Sequence, residues 1–188
     1  MTTATLRRLG VARLPAAGVV GFAVLLAVAS QIAIPLRGTP VPITLQPLVV
    51  VLAGLVLGPG AAATSMVMYL AAGIIGLPVF APVGAPGMMR LLGPTGGYLL
   101  AYPAAAATAG LLASRGDGGA PGGFARRVLA GAAGILVLYA GGVAQLTVLT
   151  GSVPRALQLG VPPFAVFDAL KVVAAAALAT GWASRVGR

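Results

Sequence analysis

The two ionisable side chains with the most chemical leverage lie three residues apart near the end of the chain. Lys171 is the only lysine and Asp168 is one of two acids in 188 residues, and both fall inside the apolar run 162–182. Residues three apart on a helix share a face, so these charges can meet. A charge inside a membrane-spanning segment costs roughly 2.5–3.5 kcal/mol on the insertion scale, and such charges usually face a cavity. Proline is favoured in the first turn of a helix. A helix opening at Pro162 puts Asp168 only about 9 Å below its end. A carboxylate accepts hydrogen bonds and an ammonium donates them. The pair therefore suits a guest offering both functions, such as a cyclic urea with its N–H groups and carbonyl oxygen. A structural ion pair that merely neutralises itself is the competing reading.

Other polar candidates are Thr44, Gln46, Tyr69, Arg90, Thr95 and Tyr98. Arg90 lies in a Pro- and Gly-rich loop and would draw a carboxylate. Thr44 and Gln46 stand where a polar stretch enters the second apolar run. There they would bond a guest or satisfy irregular backbone at membrane depth. Tyr98 offers a ring wall and a hydroxyl, or else belongs to an interfacial belt. Gly93, Gly96 and Gly97 permit close backbone approach. The chain has no histidine, cysteine, glutamate or asparagine. The commonest general base and metal ligand are therefore missing, and neither a metal nor a cofactor is expected. An enzyme would have to work with Asp168, Lys171 and hydroxyls alone, which argues against catalysis. Lys171 follows Phe-Asp-Ala-Leu rather than a glycine-rich turn, so the phosphate-cradling nucleotide loop is absent. Energy for uphill transport would come from a partner or an ion gradient.

These residues are carried by a very apolar chain. Hydrophobic residues make up 59% and charged residues 7%, where soluble domains carry about 25% charged. Mean hydropathy is +1.04. A bilayer-crossing helix needs about 20 apolar residues. The runs 16–34, 47–57, 61–77, 93–113, 128–150 and 162–182 predict an all-α integral membrane protein with six transmembrane helices. Continuous rather than alternating apolar runs exclude a β-barrel. The first run, preceded by Arg7, Arg8 and Arg13 and carrying Ala-Val-Ala-Ser-Gln at 27–31, has features of a signal peptide. It is long enough to span, and more spans follow, so it is read as a retained helix. The second run is short, and is expected to start within 40–46 or to be partly re-entrant. One membrane domain, 1–188, is expected, with a segment 1–15 and a glycine-rich linker 114–127.

Twelve basic residues against two acidic ones give a pI near 11.8. In a soluble chain that balance points to nucleic acid. Here it reads as arginines setting membrane orientation, and no nucleic-acid partner is expected. Six spans put Arg7, Arg8, Arg13, Arg115, Arg126, Arg127, Arg185 and Arg188 on one side and Arg37, Arg90 and Arg155 on the other. The richer side is cytoplasmic. Both termini and the linker are thus expected inside, with loops 35–46, 78–92 and 151–161 outside. Small residues one turn apart, Gly54 with Gly58 and Ala23 with Ala27, let helices approach closely.

Pro40-Val41-Pro42-Ile43-Thr44-Leu45-Gln46, within the longer stretch from Ile34, is similar to the signature of BioY proteins, the biotin-binding S-components of energy-coupling factor transporters. Leu57-Gly58-Pro59-Gly60, Gly76-Leu77-Pro78-Val79-Phe80, Leu92-Gly93-Pro94-Thr95-Gly96-Gly97-Tyr98 and the Asp168/Lys171 pair fit the same family. The resemblance covers about residues 16–182. It implies an S-component-like bundle of six helices with a biotin pocket near the outer face. Asp168 and Lys171 would contact the ureido ring, and Arg90, in a loop covering the site, the valerate carboxylate. It also implies docking on a transmembrane coupling protein driven by two ATPases, with Ala23 and Ala27 on helix one as contact candidates. The same fold tuned to another small vitamin, a stand-alone biotin transporter and a purely structural subunit are the alternatives.

Overall fold

Away from water, every backbone N–H and C=O must find its partner within the protein, and a helix supplies them locally. The apolar runs accordingly fold as helices. The structure is a computed structural model that describes residues 16–114 and 123–186. Its helices are α1 (Ala16–Gln31), α2 (Gln46–Leu57), α3 (Pro59–Ile74), α4 (Met89–Leu92), α5 (Gly96–Ser114), α6 (Phe124–Thr150), α7 (Val153–Gly160) and α8 (Pro162–Val186). Proline occupies the first turn of α2, α3 and α7. Its missing N–H costs nothing there. The segment 1–15, linker residues 115–122, and with them Arg7, Arg8, Arg13, Arg115 and Arg188, lie outside the described residues.

Three details differ from the sequence expectations. The second helix begins at Gln46, the last residue of the expected 40–46 window, and the stretch before it is not helical. Its ends pair as a short antiparallel ribbon, β1 (Ala33–Ile34) against β2 (Ile43–Thr44), with Ala33 opposite Thr44. Pro35, Pro40 and Pro42 lack the N–H that a helix ladder needs. The stretch 151–161 is not a plain loop but contains α7. Ser152 caps it by accepting the Arg155 N–H, and Pro154 stands in its first turn. Finally, α5, α6 and α8 are long and apolar enough to cross a membrane, whereas α1, α2 and α3 are apolar but shorter.

Close helix crossings hold the bundle together. A Cβ on Gly97 would overlap the Gly141 carbonyl, and one on Gly141 would meet the Gly97 oxygen at 2.6 Å, so α5 and α6 cross backbone to backbone. Gly54 of α2 meets Ala106 and Ala109 of α5 in the same way. The other small-residue face turns inward too. Ala23 is buried in the core, and Ala27 is half-buried against it. Val24, Leu25 and Val28 form the exposed side of α1. Internal packing therefore occupies the Ala23/Ala27 face that the family resemblance marks for partner contact. Ser65 Oγ donates to the Val19 carbonyl at 2.8 Å, tying α3 to α1.

These crossings generate a stability test. Gly97→Ala is expected to destabilise the detergent-purified protein by about 1–3 kcal/mol through overpacking, read as a lower melting temperature. Gly21, whose added Cβ meets nothing within 4 Å, is the control. Gly21→Ala should raise stability by about 0.5–1 kcal/mol.

Candidate functional site

The pair at the start of α8 forms as the spacing predicts. Phe164, Asp168 and Lys171 are buried, whereas Val166, Leu170 and Val173 between and beyond them are exposed. Helical periodicity alone separates these two faces. Lys171 Nζ donates to Asp168 Oδ1 at 2.8 Å. The second carboxylate oxygen is also engaged, since the Tyr139 hydroxyl of α6 donates to Asp168 Oδ2 at 2.9 Å. Asp168 is 5% exposed and Lys171 8%. The pair is not sealed among helices: both residues line a cavity whose empty volume, open mouth included, is ≈ 680 Å³.

The same cavity collects most of the other candidates. Thr44, Gln46, Arg90, Thr95 and Tyr98 all line it. Residues 41–44 of the ribbon, residues 80–81 and Arg90 of the α3–α5 connection, and helices α5, α6 and α8 meet there. Tyr69 does not reach the cavity but stands behind it. Its hydroxyl accepts from Gln46 Nε2 at 2.9 Å, and its ring packs edge-on against Phe80 with centroids 5.5 Å apart. Thr44 fixes the other end of the amide, donating to Gln46 Oε1 at 3.2 Å. The N-terminus of α2 is thus held by a buried polar chain, as irregular backbone inside an apolar body requires.

Arg90 is 6% exposed, a buried cation in the Pro- and Gly-rich connection. Its Nη2 donates to the Ala81 carbonyl at 2.6 Å and its Nη1 to the Val83 carbonyl, while its Nε is buried without a partner. Burial pushes the guanidinium below its usual range, partly offset by Tyr69. It stays charged, because arginine does not titrate in proteins. Asp168 is the only carboxylate side chain among the described residues, and it is paired with Lys171. Gly84, at φ +101°, brings the loop close to this guanidinium, 2.9 Å from a built Cβ to Nη1. The connection is pinned from outside as well. Ser30 Oγ of α1 donates to the Val79 carbonyl at 2.6 Å, and Gln31 Nε2 donates to the Phe80 carbonyl at 3.2 Å.

Tyr98 supplies a wall to the cavity, but its hydroxyl is already engaged. It donates to the Gly160 carbonyl at 2.7 Å, tying α5 to the end of α7. A Cβ on Gly142 would overlap the Tyr98 ring, so this glycine makes the ring's seat. Sequence reasoning missed Tyr139, Tyr102, Phe164, Phe80, Val41 and Leu138 as lining residues. Phe164 was reachable, because it stands one helical turn before Asp168. Tyr139 carries no such signal, being 29 residues from its partner on another helix.

Three comparisons bear on this architecture. The BioY family model matches residues 2–188. A biotin transporter BioY from Thermotoga maritima is 39% identical over 158 residues, which cover 84% of this chain and 89% of the relative. A probable biotin transporter BioY from Pyrococcus horikoshii is 40% identical over the same length and shares. A crystal structure of the S-component for biotin from an ECF-type ABC transporter superposes with a TM-score of 0.80 at 20% identity, covering 98% of this chain and 95% of that one. That likeness establishes the fold as S-component-like, and the relatives make this a membrane transporter chain. The family match extends over nearly every residue, and the relatives are matched over most of their length: the chain belongs to the BioY family.

Proposed function

We propose that this chain is the substrate-binding subunit of a biotin importer, capturing biotin in the ≈ 680 Å³ cavity. The observation that carries the reading is the charge pattern of that cavity. Lys171 and Arg90 are cationic and Asp168 is anionic, so the lining holds one positive charge in excess. A monoanion balances it, and biotin is a monoanion with a cyclic urea at one end. The carboxylate of Asp168 accepts from one ring N–H, and the ammonium of Lys171 donates to the ring carbonyl beside it. The unpartnered donor of Arg90 takes the valerate carboxylate, since a buried N–H without an acceptor costs about 1–3 kcal/mol. Gln46, Thr44 and Tyr98 shape the wall between. The relatives named biotin transporters support the ligand, and the likeness to the biotin S-component supports the setting.

Within that setting, a transmembrane coupling protein and ATPase subunits supply the energy that this chain has no nucleotide loop to harvest. All six apolar helices cross the cytoplasmic membrane, with both termini inside. The three connections 32–45, 75–95 and 151–161 then face outward. In support, the first two contribute residues to the cavity wall and the third accepts the Tyr98 hydrogen bond.

Three measurements test this reading. Asp168→Asn or Lys171→Ala should weaken biotin binding at least about tenfold, some 1.4 kcal/mol, in calorimetric titration of the purified protein. Unchanged affinity with an intact fold would remove the pair from the site. Arg90→Ala should weaken biotin by a similar factor and erase the preference for biotin over its uncharged methyl ester. A preference that survives would place the carboxylate elsewhere. For orientation, the chain has no native cysteine, so single cysteines report cleanly. Arg37→Cys and Arg155→Cys should react with an impermeant thiol reagent on intact cells, and Ser184→Cys only after permeabilisation. The reverse pattern would invert the topology.

A further inference from the structure

A carboxylate has two oxygens and about four acceptor positions. At Asp168 the protein itself fills one on each oxygen, Lys171 at Oδ1 and Tyr139 at Oδ2. The two donors differ in kind. Lys171 sits on the same helix as Asp168, three residues on, and its long stem moves with that helix. Tyr139 comes from α6, with a stiff ring packed between the main core and the smaller cluster of Val41, Leu146, Ala156 and Phe164. Its hydroxyl reaches the carboxylate from a separate, rigid support. Two donors from different directions fix the plane of a carboxylate, where one leaves it free to turn. The remaining acceptor position on each oxygen then has a set direction.

We infer that Tyr139 is a positioning residue for substrate recognition: its hydroxyl orients the Asp168 carboxylate so that a free acceptor position is presented to one ring N–H of a cyclic urea, beside the ring carbonyl that Lys171 takes. The inference rests on the biotin reading above. Tyr139 thereby sets selectivity for an unsubstituted urea ring, acting through Asp168. The Phe variant keeps the packed ring and removes one oxygen. Its carboxylate, held by Lys171 alone, meets that N–H less often in the right orientation.

The test compares Tyr139→Phe with the native protein in calorimetric titrations against biotin and whichever of its two mono-N-methyl ring analogues binds the native protein more weakly. Biotin affinity should fall about tenfold, the worth of one hydrogen bond to a charged group, while affinity for the methylated analogue changes little, so selectivity drops by nearly the same factor. Equal losses for both ligands would mark Tyr139 as packing only and overturn the inference. In an Asp168→Asn background, Tyr139→Phe should have no further effect; additive losses would likewise overturn it. Unchanged biotin affinity in Asp168→Asn itself would instead remove the pair from the site, and a native protein that binds no biotin would reject the biotin reading, so the failures are distinct. Infrared difference spectra of biotin binding to the native protein need no variant. The carboxylate band should shift while a tyrosine hydroxyl stays bonded to it; release of that hydroxyl on binding would overturn the assignment.

Discussion

An apolar chain can carry a charge at membrane depth only if the charge is answered, and that constraint organises this molecule. Asp168 and Lys171 answer each other at 2.8 Å, and Tyr139 adds a third member from α6. Burying an ion pair is rarely a route to stability, since desolvation offsets most of the attraction. The pair therefore makes sense where it remains available to something else. It lies on the inner face of α8, and the neighbouring elements leave ≈ 680 Å³ open in front of it. The rest of the fold can be read as the wall around that opening.

Two kinds of side chain build the wall. Glycines let helices touch where closeness is needed: Gly97 on Gly141, Gly54 on Ala106, and Gly142 beneath the Tyr98 ring. Aromatic rings hold helices apart where room is needed, with Tyr98, Tyr102, Tyr139 and Phe164 around the cavity. Polar groups behind the wall are matched internally, Gln46 with Thr44 and Tyr69, and Arg90 with two carbonyls of its own loop. The exception is Arg90 Nε. In an otherwise satisfied interior, that unmatched donor is why the proposal assigns the guest's carboxylate to Arg90.

Much of this was legible in the residues, for identifiable reasons. Six apolar runs became six helices because lipid-like composition leaves the backbone no other local solution. The Asp168/Lys171 contact followed from helical spacing alone. Gln46, Thr44, Arg90, Thr95 and Tyr98 were marked by their rarity within or beside apolar runs, and all line the cavity. What escaped notice depends on long-range packing. Nothing local says that Tyr139 reaches Asp168, that Arg90 is buried, or that Ala23 faces the chain's own core. Helix α7 was legible in principle from the Ser152 cap and Pro154, but its brevity hid it beside two long spans.

The unequal helix lengths carry a mechanical consequence for the surrounding lipid. At 1.5 Å per residue, the 16 residues of α3 reach about 24 Å, short of a hydrocarbon layer of about 30 Å. The 27 residues of α6 reach about 40 Å and must tilt or protrude. Such mismatch is relieved by local thinning on the short side and thickening on the long side, at a cost of fractions of a kcal/mol per ångström. On the proposed six-span arrangement the chain sits in an annulus of uneven depth, and acyl-chain length becomes a variable that biases its lean within the membrane.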